Sequence, residues 1–222
     1  MNTFDTWTRA RHAIARRSAF GVAGLALIGA GIAGPATGAL AAPSPTVAQQ
    51  AIATSDKRVD DYRFQEQPNI YFCGPASTRI ALSAQGKIQS QDELATKLGT
   101  TVAGTASAFD ITRVLNAELG EDAYTTGEIP NDTASADEVR RLKSDLTAAI
   151  DDGRIPVVNV IGAGTDADGV VRDFPVGHYL TVVGYDGDQI KIADPWQPVG
   201  DGTYWMSVDE LGQWAASRGY SA

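Results

Sequence analysis

The chain has little of the side chains most used for bridging and metal binding. In 222 residues it holds one cysteine, Cys73, and two histidines, His12 and His178. One cysteine excludes an internal disulfide. So few Cys and His side chains also argue against a closed structural zinc site, which takes about four such ligands, and no metal or other cofactor is expected. No cysteine lies near residue 41, so a lipid anchor there is excluded. Clustered cations are lacking as well. Lys+Arg number 18 against 27 Asp+Glu, a formal charge of −9. Setting aside the four arginines and single aspartate of residues 1–41 leaves 14 basic and 26 acidic side chains, a charge of −12. Phosphate binding is driven by grouped Lys and Arg, so nucleic acid is not an expected partner. A long apolar run is missing too. The stretch from Ala19 to Ala33 is broken by Gly21, Gly24, Gly29 and Gly31, and falls short of the ~20 strongly apolar residues of a membrane span.

That stretch follows Arg9, Arg11, Arg16 and Arg17 and precedes Pro35 and Ala39-Leu40-Ala41. A basic start, an apolar middle and a small-x-small end predict a secretory signal over residues 1–41. Export by the general route or, given the adjacent Arg16-Arg17, by the twin-arginine route fits that pattern. A secreted or extracellular location follows, with the cell envelope as a variant of it and no stable membrane association after cleavage. Residues 42–60, rich in Ala, Pro, Ser, Thr and Gln up to about residue 58, read as a flexible linker. Residues 61–222 are long enough for one compact domain, and a monomer is expected.

Only Cys73 and His178 then remain of their kinds downstream of the signal. A lone thiol is often a small buried hydrophobe, so the surroundings carry the argument. Cys73-Gly74-Pro75-Ala76-Ser77 is followed by Ile80, Ala81 and Leu82. Proline is tolerated in a first turn, so Cys73 falls at or just before a helix start, where free N–H groups and the dipole favour thiolate. Gln67 lies six residues upstream, with Gln65 as a competitor; a side-chain amide beside a nucleophile can stabilise a developing oxyanion. Downstream, Ile155–Ile161 is an apolar β-branched run. A Gly/Asp-rich loop leads to His178-Tyr179-Leu180-Thr181-Val182-Val183, an Asp186-Gly187 turn, and Gln189–Ala193. Asp-Gly between two such runs predicts a hairpin. It would place His178, at the start of one strand, against Asp194, at the end of the next. A carboxylate so placed orients an imidazole.

The joint pattern of a glutamine, Cys-Gly-Pro-Ala-Ser, Gly-His-Tyr-Leu-Thr-Val-Val-Gly-Tyr and Ala-Asp-Pro-Trp resembles the bacteriocin-leader-type (double-glycine) peptidases, small papain-like cysteine peptidases. It is closest to their stand-alone secreted branch. The resemblance spans roughly residues 60–205. It implies Cys73 as nucleophile, His178 as general base and acid, Asp194 as orienter and Gln67 as oxyanion donor, with a peptide or protein as substrate. Acyl transfer or isopeptidase chemistry on the same residues is the alternative, since the nucleophile machinery is shared. A non-enzymatic peptide-binding module is a third reading, but it needs none of the four residues.

Helical periodicity is expected over 76–86, 91–98, 107–118, 136–151 and 207–217. The fourth is clearest, with Val139, Leu142, Leu146 and Ile150 on one face and Ser135 as cap. Strands cluster after residue 154, with Tyr204-Trp205-Met206 the last. Helices first and an antiparallel sheet later predict an α+β fold of two lobes with a cleft between them, as the papain-like resemblance implies. Asp166-Ala167-Asp168-Gly169 lacks the later glutamate of a calcium loop and reads as a solvated loop. Trp196, Trp205 and Trp214 read as packing residues.

Overall fold

The computed structural model describes residues 56–196 and 201–222; the expected signal and residues 42–55 of the expected linker lie outside them. The elements in chain order are β1 (Lys57–Arg58), α1 (Cys73–Ala84), α2 (Gln91–Leu98), α3 (Ala108–Leu119), β2 (Thr126–Ile129), α4 (Ala136–Asp151), β3 (Val157–Thr165), β4 (Val171–Asp186), β5 (Gln189–Ala193), β6 (Thr203–Ser207), α5 (Val208–Trp214) and β7 (Arg218–Ser221). All strands join one antiparallel sheet of order β2-β7-β3-β4-β5-β6, with β1 paired to β4. The architecture is the expected α+β. Among the described residues no helix is long and apolar enough to cross a membrane.

The sheet is covered on both faces because its central strands alternate between two cores. Leu180 and Val182 of β4 join Val158 and Val160 of β3 in a core with α4 and α5. Tyr179 and Val183 face the other way and pack with Ile80, Leu94 and Ile111 of the first three helices. This is the period-2 alternation of a strand. Local signals set the helix starts. Ser90 with Glu93, and Ser135 with Glu138, form reciprocal capping boxes on α2 and α4. The Asp186-Gly187 turn closes β4 onto β5, pairing Asp186 with Gln189.

Several elements depart from the sequence reading. The end of the expected linker is not free: Lys57 and Arg58 pair with Tyr185 and Gly184, and Val59 N–H donates to the Val183 carbonyl at 2.9 Å. The helix expected over 207–217 stops at Trp214, and residues 218–221 form β7 between β2 and β3. Neither β2 (TGEI) nor β7 (RGYS) has an alternation long enough to announce a strand; tertiary pairing makes them. His178 lies in the middle of a 16-residue strand rather than at its start, because β3 and β4 continue through most of the expected loop. Asp166, expected in solvent, is buried at the turn of that hairpin. Its Oδ1 accepts the N–H groups of Asp168 and Val170, and its Oδ2 accepts Arg172 Nη2 at 2.8 Å. Trp214 is core, as expected, with its indole N–H on the Gly162 carbonyl. Trp196 is instead 45% exposed.

Two contacts, one with the sheet and one with the loop between α2 and α3, hold α1 and so fix Cys73. Ser77 Oγ donates to the Tyr179 carbonyl at 3.0 Å. At Gly74 the backbone meets Thr105 so closely that a Cβ would stand 2.3 Å from Thr105 Oγ1. Gly74→Ala is therefore expected to destabilise the chain by ~1–3 kcal/mol in urea unfolding. Adding Thr105→Gly should relieve part of the loss as a measurable coupling; an unchanged midpoint in Gly74→Ala would show that the close approach is not a constraint.

Candidate active site

Cys73 is the first residue of α1, and that helix starts unlike the others. It has no side-chain cap and no acid in its first turn, whereas α2, α3, α4 and α5 each carry an N-cap serine and at least one acid there. A carboxylate at this end would compete with a thiolate for the N–H groups and the dipole. Cys73 is 6% exposed. Burial pushes its thiol up, but the hydrogen bond and charge of His178, together with the N–H groups of Tyr179 and Gly74, more than offset this and hold it below the ordinary range.

His178 Nε2 stands 2.7 Å from Asp194 Oδ1, leaving Nδ1 for the cysteine side of the ring. Both residues are buried. Burial alone would lower the imidazole pKa; the Asp194 charge and hydrogen bond, with Cys73 adding to them, raise it to about 9. Desolvation likewise works against ionised Asp194, and the His178 charge and hydrogen bond, with the donors from Trp196 and Tyr204, hold its carboxyl below the usual range. Trp196 N–H reaches Oδ1 at 2.9 Å and Tyr204 O–H reaches Oδ2 at 3.1 Å. Three donors thus satisfy one buried carboxylate, as its desolvation requires.

The ring is also held from its face. Phe174 stacks on His178 at 3.9 Å between centroids and 19° between planes, and Trp214 backs Phe174 at 5.8 Å. Four residues of straight strand would separate Phe174 from His178 by ~13 Å. The strand bulges instead: Gly177 has φ +94, and the four-residue step of β4 from Phe174 to His178 is set against the two-residue step from Gly162 to Val160 in β3. A side chain at position 177 would be strained there. Behind Tyr204, the Arg172 guanidinium lies 3.6 Å over the phenol ring while bonded to Asp166.

Cys73 and His178 line a cleft of about 460 Å³ between the Val102–Ala106 loop and the Val176–Tyr179 stretch of β4. The structure therefore brings Cys73, His178 and Asp194 into one line. Gln67 is not among the residues that line the cleft: its Nε2 donates to the Asn69 carbonyl at 2.7 Å, its backbone N–H donates to the Pro195 carbonyl at 3.0 Å, and its buried Oε1 has no partner. Phe174, Tyr204 and Arg172 were not found from sequence. Their contacts need the bent strand and the cross-strand neighbourhood of Asp194, and no local motif marks either. Among the described residues no group of three or more His, Cys, Asp or Glu could hold a metal ion.

The model of the Peptidase_C39 like family matches residues 59–222. The chain belongs to that family. A solved structure agrees on the fold. A C39-like peptidase from Bacillus anthracis is 12% identical, with a TM-score of 0.51 over 75% of this chain and 96% of that one. The peptidase domain of Streptococcus ComA, a bifunctional ABC transporter involved in quorum sensing, is 23% identical, with a TM-score of 0.48 over 72% and 96%. A double-glycine-motif protease from an AMS/PCAT transporter, solved with its leader peptide, is 14% identical, with a TM-score of 0.47 over 76% and 94%. No curated protein shows a significant match. For this C39-like chain the support of Asp194 is the part most open to test. Tyr204→Phe removes one of the three donors and should cost ~1–3 kcal/mol of stability in urea unfolding. An unchanged midpoint would mean that the phenol does not hold the carboxylate.

Proposed function

We propose that this C39-like chain is a secreted cysteine peptidase that hydrolyses peptide bonds through an acyl-enzyme on Cys73. The observation that carries the reading is the buried line from a helix-start thiol to His178 to a fully hydrogen-bonded Asp194. Each part has a task the chemistry requires. A thiolate is the nucleophile; the lowered thiol and raised imidazole favour a resting thiolate–imidazolium pair. The thiolate attacks the scissile carbonyl carbon and forms a C–S bond. The imidazolium gives its proton to the leaving nitrogen as the C–N bond breaks, and the amine departs. His178 then takes a proton from water, which attacks the thioester and releases the acid and the thiolate. Asp194 keeps the ring oriented and stabilises its charged form. The negative oxygen of the intermediate would be met by the Cys73 N–H and by the second N–H of the Gln67 amide, since only one of the two is used on Asn69.

The location belongs to the same proposal and rests on the basic, apolar and small-residue order of residues 1–41. The substrate is a peptide, and a monomer without cofactor suffices for the mechanism.

Iodoacetamide labelling across pH 4–9 tests the activated pair. Cys73 should label fast well below the ordinary thiol pKa of ~8.5, with Cys73→Ala as control, and His178→Ala should slow it. Peptide hydrolysis should rise as pH climbs through the lowered Cys73 pKa, then fall as it passes about 9, where His178 loses its proton. Labelling no faster than free cysteine, unaffected by His178→Ala, would refute the proposal.

A further inference from the structure

Arg218 is a charged side chain of the cleft that the proposed chemistry does not use. It opens β7 and lines the same cavity as Cys73 and His178, and it extends into an adjoining cavity beside Phe109 and Glu128. Its Nη2 lies 3.7 Å from where a Cβ on Gly177 would stand, so the guanidinium rests against the residue that precedes His178. Asn159 shares this wall, with its Oδ1 3.8 Å from the same point. Among the residues lining the catalytic cleft, Arg218 alone carries a permanent charge; the mouth is apolar, with Ile70, Val102 and Val176 at least 75% exposed.

This cation forms no ion pair among the described residues. Among the described residues no carboxylate comes within 4.0 Å of it, although Arg113, Arg140, Arg154 and Arg172 each have one. Its Nε is shut from solvent and has no acceptor. A buried donor left unpaired is costly and calls for an explanation. The backbone leading to it is strained as well. Ser217, with φ 59, is the one non-glycine residue with positive φ among those described, and its N–H is tied to the Asn131 carbonyl at 2.7 Å. Such strain persists where the surroundings enforce it, and it is concentrated at functional sites.

We propose that Arg218 is a specificity-determining residue that takes a carboxylate of the peptide substrate, from an acidic side chain near the scissile bond or from the chain end. The proposal rests on the peptidase reading. A guanidinium offers a planar fork of donors that a carboxylate meets with two hydrogen bonds, and Nη2, which rests against Gly177 of the cleft wall, is the end of that fork nearest the site. The acidic balance of the whole chain does not oppose this. Exposed charges farther away than ~8–10 Å are largely screened, so net charge acts on encounter while the contact cation acts on selection.

The test uses decapeptide libraries in which each position carries Asp, Asn, Glu, Gln or Lys in turn, made both as free acids and as carboxamides. Wild-type chain should cleave one carboxylate-bearing set with kcat/KM on the order of tenfold to a hundredfold above its amide isostere. A preference confined to Asp/Glu at one position assigns a side chain; one confined to free acids assigns the chain end. Arg218→Gln should collapse that ratio towards one, Arg218→Lys should keep part of it, and Arg218→Glu should favour Lys at the same place. Ratios near one throughout in wild type, or a ratio that survives Arg218→Gln, would overturn the proposal. Because the wild-type ratios need no variant, a misfolded variant does not rescue it. Binding of the same fluorescein-labelled peptides to Cys73→Ala separates the two readings. Carboxylate-selective binding lost with Arg218→Gln, in a chain whose Cys73 form cleaves nothing, supports the Arg218 site and sinks hydrolysis. Cleavage without carboxylate selectivity sinks the Arg218 site alone.

Discussion

A carboxylate and an imidazole shut away from water together are the constraint to which the rest of this structure answers. Asp194 and His178 are almost without solvent contact, and an unpaired charge in such a place would cost several kcal/mol. The sheet around them is built to satisfy both. The β4–β5 register brings them within hydrogen-bond distance, β6 supplies Tyr204, and the turn after Asp194 returns the Trp196 N–H to the same carboxylate. With Nε2 committed to Asp194, the ring presents Nδ1 to the sulfur. Stacking on Phe174 fixes its plane. Helix α1 completes the line, held by Ser77 on the Tyr179 carbonyl and by the close approach of Gly74 to Thr105.

The electrostatics of the chain are arranged around that line. Acids occupy the first turns of α2, α3, α4 and α5 and are missing from the first turn of α1. Thus the helix end that faces His178 is left to the sulfur. A strongly acidic polypeptide keeps its carboxylates out of the cleft lining and places one arginine there. In the proposed peptidase, the thiolate and imidazolium supply the chemistry, and Arg218 selects what they act on.

Much of this was legible in the sequence where the signal is local. The Asp186-Gly187 turn between two β-branched runs predicts the hairpin that carries His178 and Asp194, and Ser135 with the Val139, Leu142, Leu146 face predicts α4 as it is found. Cys-Gly-Pro marks the start of α1. What was not legible depends on long-range pairing or on a bulge within a strand. β2 and β7 are four residues each and exist through one another and β3. Phe174 reaches His178 only because Gly177 turns the strand, and Asp166 is buried only because β3 and β4 run on past the point where their alternation ends. Arg218 lies one residue past the helix expected over 207–217, where no strand pattern marks it. The role of Gln67 comes from the resemblance alone; its amide gives one N–H to the Asn69 carbonyl, and the other is the one proposed for the oxyanion.

The central claim is that His178 rests as an imidazolium between Asp194 and the sulfur. Long-range ¹H–¹⁵N correlation of the ring nitrogens reads this directly, in a chain with His12→Gln so that one imidazole remains. The account predicts both ring nitrogens protonated at pH 7, with a proton shifted downfield on Nε2 and titration only near the value of about 9. A neutral ring at pH 7 that titrates near the ordinary ~6.5 would contradict it.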